Sequence, residues 1–106
     1  MKKSMFGIYV NDHDNIRVEA VNGYILDYGC FRFGIRKSGQ YTWSITEMST
    51  GMLTGLYVNR KKDIISVLDN NVNLLDTLQK LLNNPDERIK AAQSAIREFY
   101  TVQSAE

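Results

Sequence analysis

The sequence predicts an α+β domain, in which a meandering antiparallel sheet of about five strands is followed by two or three helices packed on one face. Two observations favour this class. Up to residue 58, apolar residues alternate with polar ones and glycines recur, which is typical of strands joined by tight turns. From residue 59 onward there is no glycine, and apolar residues recur at helical spacing.

The chain has 106 residues, a length that suits one domain with one core. We therefore expect residues 1–58 and 59–106 to form the sheet layer and the helical layer of a single domain. Thirteen Lys and Arg residues balance twelve Asp and Glu residues, giving a net charge of +1. This balance excludes a strongly basic histone-like protein and an acidic disordered tail.

The first strands are predicted from alternation and from one turn signal. A strand near Met5 to Val10 ends at a polar loop, Asn11 to Asn15. Asn22-Gly23 is a strong signal for a two-residue hairpin between Ile16–Val21 and Tyr24–Asp27.

The next hairpin is predicted around Lys37-Ser38-Gly39, because apolar residues alternate on both sides of it. A three-residue loop makes one face wholly apolar, whereas a two-residue loop mixes the faces. The resulting pairs are Phe33 with Trp43, Ile35 with Tyr41, and Phe31 with Ile45.

Glycine-ended triplets predict two more turns, at Asp27-Tyr28-Gly29 and Ser49-Thr50-Gly51. A last strand follows over Met52 to Val58. Two pairs of its residues suit the core: Leu56 with Val58, or Leu53 with Tyr57.

Three helical segments follow. Asn59 is expected to cap the first, which ends near Asn70-Asn71, and Asn73 the leucine-rich second. These two can also join into one long helix. Asn84-Pro85-Asp86-Glu87 resembles a cap, an N1 proline and a first acidic turn of the third. The apolar stripe of that helix is Ile89, Ala92, Ile96 and Phe99, with Tyr100 beside it.

Arg60-Lys61-Lys62 is the most informative charge run, because it lies at a predicted helix start, where the helix dipole disfavours cations. A bound phosphate or carboxylate would offset that cost. The alternative is a solvated basic surface, which we favour because such runs are common on helices.

A second candidate binding surface is the polar face of the predicted hairpin, with Arg32, Arg36 and Lys37. An antiparallel sheet covered by helices on one side leaves its other face open to a nucleic-acid backbone or an acidic partner. The aromatic residues are expected on the opposite face, however, where they cannot stack on bases. We favour an ordinary solvated face.

Catalytic and metal-binding signals are weak. His13 is flanked by acids, but the loop lacks the glycine and distal glutamate of a calcium site, so we expect a plain turn and no metal. Cys30 is expected to be buried and structural. The sequence has no phosphate-binding loop, dinucleotide fingerprint or nucleophile elbow, so neither a cofactor nor an enzyme is predicted.

A cytoplasmic protein without membrane contact is expected. The apolar run after Lys2 and Lys3 is short for a signal peptide, and the single cysteine suits a reducing compartment. The longest run without a charge, Met48 to Asn59, is too short for a transmembrane helix.

The string Trp43-Ser44-Ile45-Thr46-Glu47, followed by Thr50-Gly51 and the basic run Arg60-Lys61-Lys62, resembles small uncharacterised proteins of phages and mobile elements of Gram-positive bacteria. This resemblance implies an inhibitor or accessory factor. The order of strands and helices also resembles, in outline, Whirly-type and coactivator-type single-strand binders.

The sequence as a whole predicts a non-enzymatic binding or regulatory protein. Its partner is expected to be another protein, since the net charge is close to zero, or a second copy bound through an edge strand or the Phe99-Tyr100 end of the last helix. The alternative is a nucleic-acid-binding protein that uses the two basic surfaces. An enzyme ranks third.

Overall fold

The computed structural model describes residues 1–13 and 15–105, and it confirms the predicted α+β class. One antiparallel sheet has the strand order β1-β2-β3-β4-β5. The strands are β1 (Lys2–Asp12), β2 (Asn15–Tyr28), β3 (Phe31–Gly39), β4 (Thr42–Glu47) and β5 (Met52–Val58). A short 3₁₀ helix (Lys61–Asp63) leads into α1 (Ile64–Asp69), α2 (Val72–Asn83) and α3 (Glu87–Ala105). No helix among the described residues is long and apolar enough to span a membrane.

The predicted hairpin at Asn22-Gly23 is wrong, because β2 runs through this dipeptide as one continuous strand. The turn lies instead in the polar loop, where Asp12 pairs with Asn15 and His13 has a positive φ of 56°. Gly23 has a structural role other than forming a turn. A Cβ there would clash with the backbone carbonyl of Ile35, so the glycine permits a close approach between strands.

The register predicted for β3 and β4 is also wrong. Ile35 pairs with Ile45, Phe33 pairs with Glu47, and the turn falls at Gln40-Tyr41. Both registers preserve the alternation of apolar residues, so the pattern alone did not decide between them. As a consequence Tyr41, which was expected in the core, is 71% exposed.

Strand β5 has the predicted bounds, and of the two alternatives Leu56 and Val58 are the pair that packs against the core. Leu53 and Tyr57 are exposed. Opposite Ile45 the register of the two strands shifts, and Gly55 adopts a positive φ of 85°. The edge strand is therefore interrupted by a bulge, which limits regular pairing along its outer side.

The β1–β2 hairpin folds back across the sheet. Only Tyr24–Tyr28 of β2 pairs with β3, so the rest of the hairpin is free to bend over the neighbouring strands. The ring of Phe6 covers Gly34, and the Tyr9 N–H donates to the carbonyl of Gly51 at 2.8 Å. The predicted open polar face is thus wrong where it was most polar: Ser44 and Thr46 are each 1% exposed.

The main core lies between the sheet and the first two helices. Its fully or nearly buried members are Phe31, Phe33, Ile35, Ile45, Ile64, Leu68 and Leu75. The helices α1 and α2 remain separate, with a break at Asn70-Asn71. The predicted caps are displaced: Arg60 and not Asn59 precedes the 3₁₀ helix, and Asn71 and not Asn73 precedes α2.

Helix α3 packs against β1 and β2. The buried Ala92 and Ile96 lie on the predicted apolar stripe but outside the main core cluster. The predicted cap is two residues too early, because the Asp86 carboxylate, and not Asn84, accepts the Ile89 N–H at 2.9 Å. The Tyr100 hydroxyl accepts the Gly7 N–H at 3.0 Å, so this end of the helix is used within the chain.

Candidate functional site: a cleft beside helix α3

The arginines and lysine predicted on one sheet face are divided between two faces. Arg32 and Arg36 share a face, whereas Lys37 pairs with Trp43 on the opposite one. The Arg32 Nε lies 2.8 Å from the Asp27 carboxylate. This hydrogen bond raises the pKa of Arg32 further and engages its charge, so the three residues do not form a single patch.

The basic run Arg60-Lys61-Lys62 does not converge on an anion site. Arg60 pairs with Asp63 at 3.0 Å, Lys61 lies over an aromatic ring, and Lys62 points to solvent. The predicted helix start is only a 3₁₀ turn without a side-chain cap. The geometry therefore favours the alternative interpretation of this run, a solvated basic surface.

Lys61, Tyr24 and Trp43 form a cluster that the sequence pattern does not predict; we call it the Lys61 cluster. The Lys61 Nζ lies 3.9 Å from the centroid of the Tyr24 ring and 5.9 Å from that of Trp43. The two ring centroids are 6.2 Å apart. At these distances the ring faces attract the ammonium group, which explains why a lysine is half-buried here.

A cleft of about 1030 Å³ lies where strand ends, two turns and two helices meet; we call it the α3 cleft. Its apolar wall consists of Met5, Ile25, Phe31, Met48, Leu82 and Ile96. Its polar lining includes Cys30, Arg32, Glu47, Gln93, Arg97 and Thr101. Many of these side chains are exposed, so the cleft is a groove open to solvent.

The expectation that Cys30 is buried is wrong. It lies in the two-residue turn between β2 and β3, where it is exposed and borders the α3 cleft. The predicted turn at Asp27-Tyr28-Gly29 is displaced as well, because Asp27 and Tyr28 pair with β3 and the turn is formed by Gly29-Cys30. Turn residues are seldom buried.

Glu47 is a structural carboxylate of the α3 cleft. Its Oε1 accepts hydrogen bonds from the Ser49 hydroxyl, the Thr50 hydroxyl and the Thr50 N–H. Its Oε2 accepts one from the Ser49 N–H. The residue is only 4% exposed, and these bonds compensate for its desolvation. They also hold the β4–β5 turn that the sequence predicts at Ser49-Thr50-Gly51.

Helix α3 contributes a polar stripe to the α3 cleft. Gln93, Arg97 and Thr101 are spaced by four residues and therefore share one side of the helix. No carboxylate of residues 1–13 and 15–105 forms a salt bridge with Arg97. Arg97 is thus a cation of the cleft that is available to a ligand.

Of the charged residues of the α3 cleft, only Arg32 is among the binding residues predicted from sequence. The signal that was available is the i, i+4 polar row beside the apolar stripe of α3, but such rows are also typical of solvated helix surfaces. No group of His, Cys, Asp and Glu residues suited to a metal ion is found among the described residues. Comparisons of the chain with family models, curated proteins and solved structures give no match.

Proposed function

We propose that this chain is a small non-enzymatic binding protein that acts through contact with another protein, and that the α3 cleft is its contact site. The observation that carries the proposal is the cleft itself. Its volume is at the upper end of the range of ligand pockets, and most of its lining surface is apolar, which is typical of binding sites.

The open form of the α3 cleft favours a protein segment over a small molecule. Small ligands are usually enclosed over most of their surface. Here Met5 is 55% exposed, and Cys30 and Thr101 on the rim are also exposed. A groove of this kind suits an extended chain whose ends continue into solvent.

The charge balance and the state of Glu47 support a binding role. A net charge of +1 gives no general attraction to nucleic acid. Glu47 is occupied by the hydrogen bonds of its own turn and so is a poor general base. A cytoplasmic inhibitor or accessory factor of the kind encoded by phages and mobile elements fits this picture.

Affinity capture with matched variants tests the proposal. Wild-type protein, Thr101→Trp and Ser94→Trp are immobilised and exposed to lysate of a Gram-positive bacterium. Both substituted residues are exposed on α3, but only Thr101 borders the α3 cleft. Circular dichroism establishes that both variants fold, so the comparison isolates the cleft.

Quantitative mass spectrometry reads the result. We expect one protein to be retained by wild type and Ser94→Trp, and its retention to fall by about tenfold with Thr101→Trp, because the added indole ring would occupy part of the cleft. Equal retention by all three would remove the cleft as the contact site.

A nucleic-acid role is the second candidate, and the Lys61 cluster favours it. Two half-buried rings lie beside Lys61, and Lys37 shares a face with one of them. Tyr41, which is 71% exposed, provides a ring on which a base can stack. Aromatic and basic groups are therefore closer together than the sequence indicated.

Fluorescence anisotropy with labelled single- and double-stranded oligonucleotides tests this second role. Binding that weakens steeply with salt and is reduced by Lys37→Gln with Tyr41→Ala would establish it. Absence of binding at low salt would exclude it. Lys90→Gln, on helix α3, is the control for loss of a single positive charge.

A further inference from the structure

Among the described residues, the backbone groups along the outer edge of β1 are hydrogen-bonded over only part of the strand. The backbone N–H groups of Gly7 and Tyr9 point away from β2, since they donate to the Tyr100 hydroxyl and the Gly51 carbonyl. In an antiparallel pair the outward-facing residues alternate, so Lys3 and Met5 also direct their N–H and C=O groups outward. These two residues continue the same edge.

The unsatisfied half of this edge borders the α3 cleft. Ser4 and Met5 line it, and the Met5 carbonyl accepts only the weak, exposed hydrogen bond of the Ser4 hydroxyl at 3.2 Å. Among the described residues, no backbone group beyond β2 pairs with Lys3 or Met5. A strand edge with free donors and acceptors therefore forms part of one wall of an apolar groove.

The charges around the groove select the chemistry of its occupant. Arg32 is engaged by Asp27, and Glu47 by its own turn. Arg97 on the facing helix has no carboxylate partner among the described residues, and the side chain of Lys3 is exposed on the edge. The charges that remain for a ligand are positive.

We propose that an extended acidic segment of the partner protein adds as a strand to the edge of β1 at Lys3–Met5. Its apolar side chains enter the α3 cleft, and one Asp or Glu meets Arg97. Backbone hydrogen bonds supply affinity and the alternate side chains supply specificity, as in other cases of strand addition. This inference rests on the proposed function, because it specifies the ligand of the same cleft.

A second copy of the chain is a poorer occupant of this edge. Pairing β1 with β1 of another molecule would bring Lys2 and Lys3 of one copy close to those of the other. Like charges on paired edge strands are destabilising and are a known protection against self-pairing. The same lysines attract an acidic segment.

Peptide display tests the inference. A library of random seven-residue peptides is selected on the immobilised wild-type protein and counter-selected on Thr101→Trp. We expect enriched sequences to alternate apolar with polar residues and to contain Asp or Glu. Synthetic copies with alternate backbone nitrogens methylated should lose binding, since they cannot donate to β1. Arg97→Gln should remove the preference for an acidic residue, while Arg88→Gln, outside the cleft, should not.

Two variants of Met5 separate the backbone from the side chain. Met5→Ala keeps the N–H and removes the thioether side chain, whereas Met5→Pro removes both. Because this N–H points away from β2, the proline spares the β1–β2 ladder. We expect Met5→Pro to bind a selected peptide about fivefold more weakly than Met5→Ala, the effect of one lost hydrogen bond.

The outcomes distinguish the inference from the proposed function. Peptides that need the cleft but tolerate both backbone methylation and Met5→Pro would overturn strand addition and leave the cleft as a protein-binding site. No enrichment over Thr101→Trp would overturn both proposals. Sedimentation analysis showing a dimer that Met5→Pro dissociates would replace the partner segment by a second copy.

Discussion

Phe6 holds the β1–β2 hairpin against the sheet, and the contribution of this contact to the free energy of unfolding can be measured. Its ring is fully buried against Gly34 of β3. Replacing a buried phenylalanine by alanine lowers the free energy of unfolding by about 3–5 kcal/mol, because the surrounding residues fill the cavity only partly. A domain of this size has about 5–15 kcal/mol of unfolding free energy, so Phe6→Ala should remove a large share of it.

Gly34→Ala perturbs the same contact from the other side. The added Cβ would overlap three ring carbons of Phe6, far inside normal carbon–carbon contact. Overpacking of this kind costs about 1–3 kcal/mol. In the double variant the ring is absent and the new methyl group has room. The two effects should therefore be non-additive by about 1–3 kcal/mol.

Urea unfolding followed by circular dichroism measures all four corners of this cycle. Gly23→Ala is the control, because its Cβ would also meet the backbone carbonyl of Ile35, which removing Phe6 does not relieve. We expect strong coupling of Phe6 with Gly34 and a residual clash at Gly23. Additivity within about 0.5 kcal/mol for Phe6 and Gly34 would refute the fold-back packing.

Three local contacts are tested by further variants, two of them with a matched control. A carboxylate hydrogen bond raises the pKa of Tyr28 above 10.0, so its stabilisation is complete below pH 10 and is lost as pH rises through the higher folded-state pKa. Unfolding free energy above pH 10 should therefore fall more steeply in wild type than in Tyr28→Phe. Lys61→Ala should lower the unfolding free energy by about 0.5–1 kcal/mol through the lost ring contact. Lys62→Ala, at a solvent-exposed site, should have almost no effect in the same urea titration. Asp86→Ala should lower the melting temperature through about 1 kcal/mol of lost capping, and Asn84→Ala should leave it unchanged.

The features predicted correctly are those whose chemistry is local. The turn at Ser49-Thr50-Gly51 follows from its own residues, since the glycine adopts a positive φ of 70° and both hydroxyls bind Glu47. The bounds of β5 and the apolar stripe of α3 follow in the same way from short-range pattern.

The errors arise where distant parts of the chain decide. Asn22-Gly23 has the chemistry of a turn, but continuous pairing with β1 keeps it extended. The alternation around Tyr41 fits two registers, and the pairing of Ile35 with Ile45 selects one. In sequence Lys61 has the pattern of a solvated cation, but in the fold its ammonium group lies over the Tyr24 ring.

The α3 cleft could not be predicted because none of its walls is complete in one segment. Met5, Met48 and Arg97 come from the two ends and the middle of the chain and meet only after the hairpin folds back. In sequence each has the appearance of an ordinary strand, turn or helix residue. The basic run Arg60-Lys61-Lys62, by contrast, is visible in sequence because its residues are consecutive.

Site-specific photo-cross-linking tests the central claim, that the α3 cleft holds a partner protein, most directly. A compact diazirine amino acid, with an aliphatic side chain much smaller than the tryptophan that blocks the cleft, replaces Thr101 at the cleft or Ser94 outside it, and each protein is irradiated in lysate. We predict a discrete covalent adduct with one protein from position 101 and none from position 94. An adduct that forms equally from both positions, or from position 94 alone, would contradict the account.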